Sequence, residues 1–135
     1  MAEYRAVLVN FGFVPNPLEQ DWWTSKRLLA GAMERFGNEW LDLEDSLRDG
    51  RAQLWLAVTN KPVAAMVTRR DGDVLEVWLA GGDVLSGCVP FLEIAERAAR
   101  SNGMTKGRIT GRKGWARVLE PWGWARSGDD LVKEL

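Results

Sequence analysis

The sequence predicts a mixed α/β fold of the α+β kind, a mostly antiparallel central sheet carrying about four helices. Two observations lead there. Stretches with apolar residues at helical spacing alternate along the chain with short apolar runs bounded by Gly, Pro, Asn and Asp. In the middle, three of those runs follow one another through tight turns, and strands joined in that way pair antiparallel. With 135 residues, 46% hydrophobic and 27% charged, the chain suits one domain over residues 1–135, large enough for a real core.

Taken in order, residues 5–9 form an apolar run and the first expected strand, with 11–15 leading out of it. Asn16, Pro17 and Glu19 are the residue types of a helix start: a capping side chain, a proline whose missing N–H costs nothing in the first turn, and a carboxylate that reaches back. Leu18, Trp22, Leu29, Ala32, Met33 and Phe36 then share one face, and Gly37-Asn38 stops the helix. Trp22 and Trp23 are adjacent, so at most one of them faces fully inward. Asp42 with Asp45 opens a shorter helix that ends at Asp49-Gly50. Strands follow over 53–59 and 63–69, and the Asp71-Gly72 turn leads into a third over 74–80. Strict alternation puts Val74, Glu76, Trp78 and Ala80 on one face of that strand and Leu75, Val77 and Leu79 on the other.

The next helix is expected from Gly87 to Asn102, because Pro90 is tolerated only in a first turn. Its apolar stripe is Cys88, Phe91, Leu92, Ala95, Ala98 and Ala99, with Glu93, Glu96, Arg97 and Arg100 outward. Then come a strand over 106–110, a turn at Gly111, a helix over 113–120 stopped by Pro121, and short strands over 122–126 and 131–135 joined through Ser127-Gly128-Asp129-Asp130.

Composition removes several function classes. There is no histidine, hence neither the usual general base nor the commonest metal ligand. The single cysteine, Cys88, excludes an internal disulfide and a thiolate metal cluster; among apolar neighbours it reads as a core residue, and no metal site is expected. Ser86, Thr110 and Ser127 have no histidine to activate them, so a hydrolytic triad is excluded. No run approaches the roughly 20 apolar residues of a membrane helix, and no secretory signal opens the sequence, so no membrane partner is expected. A net charge of −1 demands no polyanion. Charge is nevertheless uneven. Glu34, Glu39, Asp42, Glu44, Asp45 and Asp49 make an acidic first half, and Lys106, Arg108, Arg112, Lys113, Arg117 and Arg126 a basic second half. Solvated surface accounts for this; a head-to-tail contact between copies is the sharper reading.

Residues 108–126 hold three of the eight tryptophans and read as a strand end, a glycine turn, a short helix and a new strand. The element order of the whole chain resembles the GNAT acetyltransferase superfamily. Within it, residues 114–124 resemble the family's last helix and the strand after it, with Gly123-Trp124 where Gly-Phe usually stands. The wording of residues 111–119, after Gln53-Leu54-Trp55, is also similar to small GNAT-like proteins of tailed phages and prophages. The resemblance implies a GNAT-like fold and a loop of the form Gln/Arg-x-x-Gly-x-Gly/Ala that holds the pyrophosphate of acetyl-CoA at a helix N-terminus. Gly82 and Gly87 stand in the matching region, the Arg or Gln is absent, and Asp83 adds a negative charge. It implies a tyrosine as general acid in the last helix, where this chain has Leu119; the one tyrosine is Tyr4. It implies a glutamate base on the strand before the loop, matched by Glu76, and a backbone N–H near Leu79 or Ala80 that polarises the thioester carbonyl; the plainer reading of Glu76 is that it faces solvent or pairs with Arg69 or Arg70 across the hairpin.

These departures set the functional expectation. The chain is expected to be a non-catalytic GNAT-like interaction or structural component of a phage particle or prophage, with no cofactor. Its location would be a bacterial cytoplasm or a virion. Its partners would be other protein chains, virion proteins or copies of itself, met through Trp115, Trp122 and Trp124. The alternative is an acyl-CoA-dependent N-acetyltransferase using acetyl-CoA, with Glu76 taking a proton from the amine. A distant third is a nucleic-acid-binding protein using Lys106, Arg108, Arg112, Lys113 and Arg117 with Trp115; the near-zero net charge argues against it. A filled cleft beside Gly82 and Gly87, or one sealed by a neighbouring chain, would argue against catalysis.

Overall fold

The computed structural model describes residues 10–20, 22–82 and 89–135. The expected first strand over 5–9, Tyr4, and residues 83–88 with Asp83, Gly87 and Cys88 lie outside them. The described strands form one sheet in the order β1-β2-β3-β4-β5-β7-β6. They are β1 (Asn10–Phe13), β2 (Ala52–Val58), β3 (Pro62–Asp71), β4 (Val74–Gly82), β5 (Lys106–Ile109), β6 (Ala125–Ser127) and β7 (Asp130–Glu134). Every neighbouring pair is antiparallel except β4 and β5, which run parallel. The helices are α1 (Trp22–Phe36), α2 (Trp40–Arg48), α3 (Val89–Ser101) and α4 (Ala116–Leu119), the last set between 3₁₀ turns at Lys113–Trp115 and Glu120–Trp122.

The sheet is buried on both faces. Leu29, Ala32 and Met33 of α1 and Leu43 and Leu47 of α2 pack on Leu54, Leu56, Ala65, Val67 and Leu79. On the other face Leu92 and Ala95 of α3, with Leu119 and Trp124, pack on Trp55, Met66, Val77, Ile109 and Leu131. The inward residues of α1 and α2 keep the 3.6-residue period read from the sequence. Among the described residues no helix is long and apolar enough to cross a membrane.

Several expectations need correcting. Residues 10–13 do not merely lead out of a strand; they pair with β2. Residues 16–20 form a turn in which the N–H groups of Glu19 and Gln20 donate to the Asn16 carbonyl at 3.0 and 3.1 Å, and α1 begins only at Trp22. Asn and Pro favour turns as readily as helix starts. In β4 the alternation breaks. Val67 faces Leu79 and Thr68 faces Val77, so Trp78 is an extra residue, a β-bulge. The bulge sends Val77 to the α3 face and Leu79 to the α1 face. Glu96, expected outward, is 1% exposed and pairs with Lys133 at 2.6 Å; it falls four residues after Leu92 on the buried side of α3, where a charge enters only with a partner. Trp122 belongs to a 3₁₀ turn rather than to a strand, so it shares no strand face with Trp124.

Candidate active site

The site begins where two parallel strands part. β4 and β5 stay in register only from Val74–Lys106 to Val77–Ile109, and a last bond runs from Thr110 N–H to the Val77 carbonyl at 3.4 Å. β4 then continues to Gly82, while the other chain turns away at Gly111. The bulge at Trp78 lies at the parting. Beyond it, among the described residues, no strand pairs with this edge of β4. The Ala80 carbonyl points into the gap and accepts a hydrogen bond from Arg112 Nη2 at 2.9 Å. A strand residue directs its N–H and C=O to the same edge, so the Ala80 N–H faces the gap too.

Helix α1 covers this end of β4 closely. A Cβ on Gly81 would lie 1.8 Å from the Leu28 carbonyl oxygen, so only a glycine lets helix and strand backbones touch. Gly82 has φ +82°, and a Cβ there would meet the Val63 carbonyl oxygen at 2.4 Å. Packing thus requires Gly82 by itself, and Gly82 also lines the cleft; its expected companion Gly87 lies outside the described residues. The cleft is open, about 810 Å³, and is walled by Glu34 and Arg35 of α1, Ala80 of β4, and Arg112 and Trp115 beyond β5.

Glu76 lies just below the parting. It is 5% exposed. Its Oε1 accepts from Arg69 Nε at 2.6 Å, its Oε2 from Thr110 Oγ1 at 2.5 Å, and Arg108 Nη2 stands 3.4 Å away. Burial alone would raise its pKa, but the Arg69 and Thr110 hydrogen bonds and the two guanidinium charges outweigh burial and hold it below the ordinary carboxylate value. A carboxylate with both oxygens bonded and its charged form favoured is a poor proton acceptor. It acts instead as a clamp that ties β3, β4 and β5 together immediately before β4 and β5 separate. Leu119, where the resemblance implies a tyrosine, is 1% exposed and part of the core.

The expected tryptophan interface is not assembled. Trp124 is 2% exposed and lies over Gly107, where a Cβ would meet its ring at 2.6 Å. It is a core residue because β5 carries a glycine opposite it. Trp122 is half-buried against the same cluster, and Trp115 is half-buried with its ring centre 4.5 Å from the Arg112 guanidinium carbon. The large exposed tryptophan is Trp23, at 78%, while its neighbour Trp22 turns inward and donates to Glu44 at 3.0 Å. The basic patch is also dispersed: Arg108 pairs with Asp71 at 3.1 Å and with Glu76, and Lys113 with Asp129 at 3.1 Å.

Glu34 and Arg35, as site residues, escape a sequence reading, since two charges at the polar end of an amphipathic helix look like any solvated face. Arg112 was visible only as one of several cations.

No protein-family model matches the chain, and no curated protein matches it in sequence. Solved structures do match in fold. The IAA acetyltransferase of Bacillus cereus aligns with TM-score 0.64 and 11% identity over 95% of this chain and 100% of its own. A Bacillus subtilis acetyltransferase in complex with CoA aligns with TM-score 0.64 and 11% identity over 96% and 99%. An acetyltransferase of the GNAT family from Staphylococcus aureus aligns with TM-score 0.63 and 11% identity over 95% and 99%. The chain therefore has the GNAT fold along nearly its whole length. These neighbours overturn the expectation of a non-catalytic phage component: they are acetyltransferases, and nothing among them points to a virion. They also remove the support for expecting no cofactor, since one is bound to CoA. The open cleft agrees with that correction.

Proposed function

We propose that the chain is an acyl-CoA-dependent N-acetyltransferase whose acceptor amine enters beside α1. The observation that carries this reading is the parting of β4 and β5, which leaves the Ala80 backbone on an open sheet edge. An extended, amide-bearing molecule such as the pantetheine arm of coenzyme A adds to such an edge as a further strand would. Gly81 and Gly82 keep the strand end free of side chains, which fits a ligand lying close to the backbone.

Acetyl-CoA supplies the activated acyl group when bound. The remaining work falls to the chain. The Ala80 N–H, fixed in a strand, is the donor available to an oxyanion at the gap. Glu34 is the one carboxylate among the described residues that line the cleft, and it is the group placed to accept the ammonium proton. Glu76 positions: its bonds to Arg69, Arg108 and Thr110 set the geometry at which β4 and β5 part. Leu119, in the core, offers no proton donor to the cleft.

Titration calorimetry with coenzyme A, followed by acetyl-CoA-dependent thiol release on a panel of amines, tests this. Saturable binding and amine-dependent release are expected. A chain that neither binds coenzyme A nor releases thiol would sink the reading.

A further inference from the structure

Arg108 and Arg112 are four residues apart and differently partnered. Arg108 is held by two carboxylates, Asp71 and Glu76. Among the described residues no carboxylate lies within ion-pair distance of Arg112 or of Arg35. The acidic groups around the turn are otherwise engaged: Asp130 Oδ1 accepts from Gly111 N–H at 2.8 Å, and Asp129 pairs with Lys113. Glu34, beside Arg35 on α1, pairs with neither guanidinium.

The two guanidinium groups nonetheless share one ring and one cleft. The Arg35 and Arg112 guanidinium carbons lie 5.7 and 5.8 Å from the centre of the same ring, that of Phe36, and both residues line the cleft. Arg112 is half-buried between Phe36 and Trp115, its plane fixed by those rings and by the bond to Ala80. An arginine has five N–H donors, and this one has a protein acceptor for one of them. Burial, and then the like charge of Arg35, lower its pKa from the ordinary guanidinium value. Two like charges facing one cleft, with donors to spare and no counter-charge among the described residues, are stabilised when an anion joins them.

We infer that Arg35 and Arg112 form an oxyanion subsite, so that the acceptor amine carries a carboxylate or phosphate. Glu34, on the same wall of the cleft, receives the ammonium end of that molecule while the guanidinium pair receives the anionic end. The inference rests on the acetyltransferase reading for the word acceptor, but the subsite can be measured without turnover.

The test uses two pairs of amines that differ by the anion alone: O-phosphoethanolamine against ethanolamine, and β-alanine against propylamine. Dissociation constants are measured by calorimetry on the free 135-residue chain, with coenzyme A titrated separately. The anionic member of at least one pair should bind about tenfold or more tighter than its neutral partner, and which pair shows it separates phosphate from carboxylate. Arg35→Ala, at an exposed position, should abolish most of that preference, and Arg112→Gln should do the same. Arg112→Lys, which keeps the charge but not the fork, should keep part of it. For Arg35→Ala, which does not touch the β4 edge, the affinity for coenzyme A should change by no more than about twofold. Equal affinity within both pairs overturns the subsite. So does a loss of coenzyme A affinity that matches the loss for the amines, because the cofactor's own phosphates would then be the anion. Absence of coenzyme A binding with the anion preference intact would instead sink the acetyltransferase reading and leave the subsite standing.

Discussion

Below Val77, β4 and β5 are paired, the buried Glu76 has both oxygens bonded, and the two arginines beside it, Arg69 and Arg108, both pair with it. Above Val77 the same strand, among the described residues, has an edge without a partner strand, two glycines, and two arginines, Arg35 and Arg112, with no counter-charge. The two halves are built from the same residue types. What separates them is compensation. Where burial is matched by hydrogen bonds and opposite charge, the group holds the fold; where it is left unmatched beside an open cleft, the group awaits a ligand. Glu76, the catalytic candidate from its place in the strand, is compensated by this measure, while Arg112 is not.

The contrast can be broken at several points. The largest stability effect belongs to the core beneath the paired half. Trp124→Ala should cost about 4 kcal/mol, read as a fall in the urea midpoint. If instead the variant kept its stability and lost self-association or partner binding, Trp124 would belong to an interface after all. Next comes Glu34→Gln in the parted half. It should lower kcat/KM for the amine about 100-fold with an unchanged thermal midpoint. An unchanged rate would remove Glu34 from the mechanism. The smallest effect, and the sharpest on the comparison, belongs to Glu76→Gln. It should destabilise by about 2 kcal/mol at neutral pH and change turnover far less than Glu34→Gln does. A large fall in kcat with full stability would restore Glu76 as the base.

That last variant also has a pH signature. The folded-state pKa of Glu76 lies below its ordinary value of 4.5. Its stabilisation is therefore fully present above about pH 4.5 and is lost as pH falls through the folded value. The gap in urea midpoint between wild type and Glu76→Gln should narrow steadily below pH 4.5. A gap that stayed constant down to pH 3 would mean that Glu76 does not gain its charge from Arg69, Arg108 and Thr110.

Much of the fold could be read along the chain because local chemistry decides it. The buried face of α1, the stop at Gly37 and the turn at Asp71-Gly72 follow from spacing and from residues that favour one backbone region. The site could not be read in that way. A bulge is one extra residue between two runs that each alternate correctly, so a sequence pattern does not register it. Trp124 is buried because Gly107, seventeen positions earlier, leaves room for its ring. Glu96 is inside because Lys133 reaches it from β7.

The sequence by itself therefore determined the element order, the GNAT-like fold and the absence of histidine chemistry, since composition, period and turn residues act within a few positions. The tertiary structure decided which charges are answered. Arg108 and Arg112 are equally basic in the sequence; only the folded chain brings Asp71 and Glu76 to the first and leaves the second facing the cleft with Arg35. Electrostatic compensation is a property of distances between residues far apart in the chain, and those distances exist only once the sheet has formed.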